Sequence, residues 1–402
     1  MLVPKLRFNE FKDEWGQIDL SNVFTFYSTN SLSRADLVES GSIKNIHYGD
    51  IHQRFHNILD INIERLPYIK LDSQINIDNC KNYCQNGDVI FADASEDYDG
   101  IGKAIELINI GNNKVVSGLH TIWARDINNI MSNGFKGYLF NTPIIHNQIR
   151  VLANGFKVYG ISKNNICNLD VNIPSKSEQE KIANFLILLD KKIELQKQKI
   201  EALKIYKIGL INKLLNSNES LNWKNIKLND ILLPGSKEKV EDTSKFQKIN
   251  IKLNLNGLSK NTSVREMADT RPFYIRNLNE IIIGKQNYFN GSIAIITKEF
   301  DGCICSNAIM SFSVKKDNPK YIYYYISQPN YIKKRSFLAN GTGQKELSEK
   351  EFLNFEINLP NIEEQNYIVK TLDFVESKIN IENLKYEHLE LMKKSLLQQM
   401  FI

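Results

Sequence analysis

No stretch of the sequence is apolar for anything near the ~20 residues that cross a bilayer. The longest candidates, "FLILL" (185–189) and "IYYYI" (322–326), are far too short, so no membrane association is expected. The opening "MLVPKLRFNEFKDEW" puts charges where a secretory leader needs an apolar core. The expected location is therefore the cytoplasm. Cysteine is scarce: Cys80, Cys84, Cys167, Cys303 and Cys305 make five, an odd number. Without a secretion signal this points to reduced thiols rather than a disulfide framework. The 80/84 and 303/305 spacings depart from C-x2-C, so no structural zinc is expected.

Catalytic signatures are missing as well. "DNPKY" (317–321) resembles the N-P-P-Y motif of amino-methyltransferases, but Lys320 replaces the second proline and no glycine-rich S-adenosylmethionine loop precedes it. The segment reads more simply as a helix start, with Asn318 as cap and Pro319 in the first turn. "SEDYDGIGKAIE" (95–106) has acids near calcium-loop spacing, but Ser95 holds the first ligand position and a turn at Asp99-Gly100 fits better. "GIGK" is no phosphate loop, and His52 and His56 lack the intervening acid of H-E-x-x-H. The expectation is a chain with no catalytic residue, no metal site and no cofactor of its own.

What the sequence does contain is a duplication. Its 402 residues, 42% hydrophobic and 24% charged, suit a folded protein of two or more domains. "DVNIPSKSEQEKIANFLILLDKKI" (170–193) recurs as "EINLPNIEEQNYIVKTLDFVESKI" (356–379), 186 residues on. "LANG" occurs at 152–155 and at 338–341, and Tyr138 and Pro143 match Tyr324 and Pro329. A fainter match links "WGQIDLSNVF" (15–24) to "WKNIKLNDIL" (223–232) at an offset of 208. The ends of each half are shared, while the middles align poorly.

Each shared end alternates polar and apolar residues, stops at proline, and then opens a helix. Ser175-x-x-Glu178 and Asn361-x-x-Glu364 sit in capping-box register. The helices keep a 4-3 apolar spacing. The first seam is Ile182, Leu186, Leu189, Ile193, Gln196, Ile200, Leu203, Lys207, Leu210 and Leu214. The second is Ile368, Leu372, Val375, Ile379, Glu382, Tyr386, Leu389, Lys393, Leu396 and Met400. This is a coiled-coil repeat, and each helix should span roughly 58 Å. Two matched seams separated by a whole domain predict helices that pair antiparallel within the chain. The expected fold is α+β: two mixed α/β domains in pseudo-twofold tandem, held apart by a two-helix rod.

The middles read as strands, "GDVIFA" (87–92), "HTIWAR" (120–125), "EIIIGK" (280–285), "GSIAIIT" (291–297) and "AIMSFSV" (308–314), joined by loops rich in Tyr, Asn, Arg, Lys and His. Asn, Gln and Arg can pair with base edges; Lys and Arg can hold phosphates. The net charge of +5 is modest, so a nucleic-acid footprint must come from local clustering.

Two divergent domains, each closed by "N.P…EQ..I" and a long helix, resemble the specificity subunits of type I restriction-modification systems, the HsdS family. "PKLRFNEFKDEW", "LSNVF", "YGDI" (48–51), "NGDVIF…GIGKA" (86–104) and "KELSEKEFLNFEINLPNIEEQ" (345–365) are similar to that family's motifs, and the likeness spans nearly the whole chain. It implies target recognition domains at 1–167 and 218–353 and conserved helical regions at 168–217 and 354–402. Each recognition domain would read one half of a split double-stranded DNA site. The helices would set the spacer and dock two methyltransferase subunits that methylate adenine. Restriction subunits would join them, and S-adenosylmethionine, ATP and Mg would belong to those partners. A pseudo-dimer can place two readers about one DNA turn apart, ~34–36 Å. The alternative is a coiled-coil adaptor without DNA specificity. By residue type and loop position, the candidate DNA contacts are Arg34, Lys44, His47, Tyr48, His52, Arg54 and Lys103 in the first domain. In the second they are Arg265, Arg271, Lys285, Gln286, Asn287, Tyr288, Lys333, Lys334 and Arg335. Lys333, Lys334 and Arg335 are expected to hold phosphates.

Overall fold

The computed structural model describes residues 3–70, 72, 82–155, 157–216, 223–261, 271–336 and 346–402. Cys80, Arg265 and the second "LANG" lie outside the described residues. The chain divides into two compact units, one of Met1–Gln198 with Leu384–Ile402 and the other of Lys199–Asn383. Each is a mixed α/β body, and both long helices, Lys176–Leu215 and Ile362–Gln399, contribute residues to both units.

The two repeats found at different offsets meet as one clasp. In the first unit the strand Gly16–Ile18 pairs antiparallel with Val171–Ile173, Gly16 opposite Ile173. In the second, Lys224–Lys227 pairs with Glu356–Leu359, Lys224 opposite Leu359. Adding 208 to one strand and 186 to the other turns the first register into the second. The shared front and the shared end of each half were kept together because they are hydrogen-bonded neighbours.

The middles are more alike than their sequences. The first unit holds a sheet in the order Phe24–Tyr27, Thr121–Asp126, Val89–Ala92, Ala104–Ile108, Ile58–Asp60. The second repeats four of these places with Leu232–Pro234, Ile309–Val314, Ile281–Gly284 and Ile293–Ile295. Even the register is kept: Asp126 faces Phe24 as Val314 faces Leu232, and Ala92 faces Thr121 as Gly284 faces Ile309. The runs "VIFA" and "III" are buried, as strands covered on both faces must be. Divergence therefore sits in what is added to the sheet. The first unit adds a second sheet ordered Lys114–Ser117, Ile43–Ile46, Tyr68–Ile69, Leu37–Val38. The second adds two small strand pairs, Ile249–Ile251 with Leu258–Lys260 and Phe273–Ile275 with Ile304–Ser306.

The repeated "EQ" has a structural reason. Gln179 and Gln365 are each 1% exposed. The Gln179 carbonyl accepts from the Ser132 amide at 2.8 Å, and its amide donates to the Pro174 carbonyl at 3.0 Å. Gln365 makes the equivalent bonds to Asn318 and Pro360, each 2.9 Å, and a third to Asp317. Each glutamine thus ties the start of a long helix to the strand before it and to a distant loop. That loop opens a helix in the second unit, where Asn318 caps Pro319–Ile326 as its sequence suggests.

The capping boxes do not form as expected. Asn361 does accept from the Glu364 amide at 2.9 Å, but Glu364 turns to the Trp223 indole N–H instead of reaching back. The Ser175 hydroxyl contacts Ser177 at 3.2 Å, and both oxygens of Glu178 accept from Arg7 at 2.7 Å. A cation or an indole donor close by gives the carboxylate a stronger partner than its own backbone amide.

Along the helices the seam residues are the buried or half-buried ones. The outer positions enter the globular cores, Ile182 and Leu186 in the first unit, Ile368 and Leu372 in the second. Helix pairs with helix further along: Leu189, Ile193 and Leu389 form one cluster with Tyr386, Met392 and Leu396. The pairing is antiparallel, because residue numbers rise on one helix as they fall on the other. Asp190 pairs with Lys393 at 2.6 Å in the first unit, and Lys207 pairs with Glu376 in the second. These two ion pairs are repeat equivalents, with acid and base on exchanged helices. In the second unit Lys199 also reaches Glu382 at 3.1 Å, so the polar seam position is partnered. Ile200, Val375 and Ile379 are buried, and Leu203 and Leu210 are half-buried.

Candidate nucleic-acid interface

Each unit carries a polar cleft built from the elements added to the shared sheet. In the first unit a cleft of about 750 Å³ is lined by Arg34, Lys44, Arg54, Arg65 and Tyr68, with Glu39 and Glu64 at its wall. Three of the expected contacts therefore share one surface. They are held rather than loose. Arg34 forks onto Asp50 through two bonds of 2.6 and 2.7 Å, and Arg54 reaches the same carboxylate at 3.4 Å and the Arg65 carbonyl at 2.9 Å. The Lys44 ammonium donates to the Ile61 carbonyl at 3.2 Å.

The helix that carries Asp50, Tyr48–Gln53, also organises the histidines. His47 caps it, accepting through Nδ1 from the Gly49 amide at 3.1 Å. Burial, with Arg34 nearby, holds this imidazole below its usual range. The Tyr48 ring lies 4.7 Å from that of His47 and 5.3 Å from that of His120, and His120 sits 3.3 Å from Asp93. His52 contacts the Ala94 carbonyl at 2.9 Å. Lys103 is less available than its loop position suggests: it is half-buried, its ammonium donates to the His52 carbonyl at 3.2 Å, and burial lowers its pKa.

In the second unit a cleft of about 1110 Å³ brings together Arg271, Lys285, Gln286 and Asn287. Gln247, Lys248, Asn250 and Asn261 complete it, and its described lining contains no acidic residue. The amide of Gln247 is fixed on the Lys248 and Asn261 carbonyls at 2.8 and 3.2 Å. Lys248 lies over the Phe273 ring at 4.7 Å.

One expected contact fails, and another is partly engaged by the fold. Tyr288 is fully buried among Phe289, Phe352 and Phe355, with its hydroxyl 3.4 Å from the Ile326 carbonyl. The short turn Tyr288–Asn290 sends this ring inward, so it is core rather than a base contact. Arg335 stacks 3.5 Å over Tyr331 and bonds the Tyr331 and Glu356 carbonyls at 3.0 and 3.3 Å. Its guanidinium closes an aromatic cluster and also lines the cleft beside Lys333 and Lys334. Lys333 and Lys334 remain exposed, beside this separate cleft of about 900 Å³ near Trp223.

Sequence reasoning missed Asp50, Arg65, His120, Gln247, Lys248, Asn250 and Asn261. The alternation in "FQKINIKLN" was a usable signal for the last group: a strand with one face buried must present its polar face elsewhere. Asp50 appeared only as part of "YGDI", with nothing to show its pairing to Arg34, and His120 gave no signal because Asp93 is distant in sequence.

The long helices also expose apolar residues at repeat-related places. Leu188 and Leu195 correspond to Phe374 and Ile381, and Ile205 corresponds to Leu391, and all six are more than half exposed. Among the described residues no cluster of three or more His, Cys, Asp or Glu is placed to hold a metal ion, and no helix is long and apolar enough to cross a membrane.

A duplicated α/β body, each copy with its own polar cleft and its own stretch of antiparallel helix pairing, defines the class: a tandem-repeat α/β protein. The family model for the type I restriction modification DNA specificity domain matches residues 12–204 and again 220–391. The chain belongs to that family, as a type I restriction-modification specificity subunit. It is 25% identical over 364 residues to a Methanocaldococcus jannaschii protein assigned as the specificity subunit of the type I restriction enzyme MjaX, covering 84% of this chain and 82% of that one. Its fold is similar to the type I S subunit from M. genitalium, with a TM-score of 0.58, 15% identity and coverage of 100% and 99%. A chain from a structure of type I complex assembly and conformational transition gives a TM-score of 0.53 at 13% identity, covering 96% and 97%.

Proposed function

We propose that each unit reads one half of a bipartite, asymmetric double-stranded DNA site, and that this chain does so without catalysing a reaction itself. Residues 1–167 and 218–353 act as the recognition domains, and 168–217 and 354–402 as the conserved helical regions. The observation that carries the reading is a shared sheet and clasp fitted with two different clefts. One cleft is lined by arginines; the other is rich in amides and free of acids among its described lining. One fold with two chemistries is what an asymmetric target requires.

The helices set the distance between half-sites and dock two methyltransferase subunits. What supports docking is the exposed apolar set on the helices, kept at equivalent positions in both repeats. Exposed apolar residues kept at matched positions on both helices suit a partner surface presented twice. The partners carry S-adenosylmethionine and methylate adenine; restriction subunits that join them carry the ATP- and Mg-dependent steps. The assembly works in the cytoplasm, where its DNA is.

The test is the methylome of cells expressing this chain with its methyltransferase. A single split motif with a methylated adenine in each half is expected. Methylation without a split motif would refute the reading.

A further inference from the structure

The first unit contains a buried acid whose partners are solvent-facing arginines. Asp50 lies in the first turn of Tyr48–Gln53 with its side chain 1% exposed. Burying a carboxylate is costly unless it is paired. Here the pairing groups are not buried with it: the Arg34 side chain is 55% exposed and that of Arg54 is 45% exposed.

The hydrogen-bond geometry is informative. Arg34 uses Nη1 and Nη2, its end-on fork, for the two Asp50 oxygens at 2.7 and 2.6 Å. A guanidinium has five N–H donors in one plane. The side fork, Nε–H with the second Nη2 hydrogen, has no partner among the described residues. The carboxylate therefore fixes the plane of a guanidinium whose second fork meets no described residue, on the wall of the 750 Å³ cleft. Lysine could not do this, because an ammonium has no second fork. A planar fork of this kind matches O6 and N7 of guanine in the major groove.

We propose that Asp50 is a positioning residue that fixes Arg34 to read a guanine in the half-site of the first unit. The proposal rests on the reading of each unit as a DNA reader, and narrows it to one base and one pair of residues. Arg54, bound to the Arg65 carbonyl, also reaches Asp50 Oδ1 at 3.4 Å, the oxygen that accepts from Arg34 Nη2.

The test uses the full chain expressed with its methyltransferase, comparing wild type with Arg34→Lys, Asp50→Asn and the double variant by methylome and by competition binding to single-base variants of the site. Both single variants should lose discrimination at the same G·C pair, roughly 10- to 100-fold, the worth of one bidentate contact. That pair should lie in the half set by residues 1–167, and the other half should be unchanged. The double variant should be no worse than the single ones, because one interaction is removed once. A merely structural Asp50 would lower overall binding without changing which base is preferred. If Arg34→Lys keeps the full motif, the arginine holds a phosphate and the proposal is overturned; this variant retains the charge, so it decides the matter even if Asp50→Asn does not fold. Loss of a split motif in the wild type would instead refute the DNA-reader assignment itself.

Discussion

Replacing Gln365 by methionine should be among the most damaging single changes away from any cleft. Methionine keeps the length and shape of the side chain but removes the amide. Three bonds are lost, to the Asn318 amide, the Pro360 carbonyl and Asp317, each 2.9 Å. Each is worth about 1 kcal/mol net, and a buried group left unpaired adds about 1–3 kcal/mol. The site is 1% exposed, so water does not readily replace the amide. The expected cost is therefore roughly 4–6 kcal/mol, a large part of the ~5–15 kcal/mol that stabilises a domain. Urea unfolding followed by tryptophan fluorescence measures it, since Trp223 bonds Glu364 next door. With a urea m value of about 2 kcal/mol per molar, the midpoint of the second unit's transition should fall by roughly 2–3 M. A cost below about 1 kcal/mol would mean that the glutamine clasp is incidental, and the repeated "EQ" would need another explanation. Gln179→Met should act likewise on the first unit through Ser132 and Pro174.

Further outcomes follow from the same geometry. Burial holds His47 and His146 below the usual imidazole range, so their neutral forms favour the fold. Their contribution is complete above pH ~6.5 and is lost as pH falls through the lowered folded values. The first unit of the double variant His47→Asn/His146→Asn should therefore lose less stability than wild type between pH 7 and 5, read by thermal melts; equal losses would contradict the assignment. Residues 199–383 contain no histidine, so the second unit should lack this component. Leu188→Asp/Leu195→Asp should leave helicity intact but reduce the bound methyltransferase count from two to one by native mass spectrometry; retention of two would exclude that face as a dock. Reversing the pair as Asp190→Lys/Lys393→Asp should restore most of the stability that either single change removes, within the ~1 kcal/mol range of partly exposed ion pairs.

The architecture was legible because its signals are local or repeated. Strand alternation ending at proline, 4-3 seams and the 186-residue offset each survive in a single sequence. The common sheet was hidden. Insertions between its strands shift the offset from 208 at Phe24 and Leu232, through 192 at Val89 and Ile281, to 188 at Thr121 and Ile309, so no single alignment register exposes it. Candidate contacts were legible by type but not by direction. Arg34, Lys44 and Arg54 converge on one cleft, as do Arg271, Lys285, Gln286 and Asn287 on the other. Tyr288 and Arg335 have the same surface-like composition, yet the Tyr288 ring turns into a core of phenylalanines and Arg335 stacks on Tyr331. Which way a loop side chain points depends on packing partners far away in sequence, and composition carries no record of them.

The central claim is that the two clefts read independently and the helices only space and dock. Exchanging residues 1–167 for those of a relative with a different motif, and sequencing the methylome produced with the same methyltransferase, tests it most directly. One half of the motif should change to the donor's, with the other half and the spacer length retained. A motif altered in both halves, or a spacer that follows the exchanged domain, would contradict it.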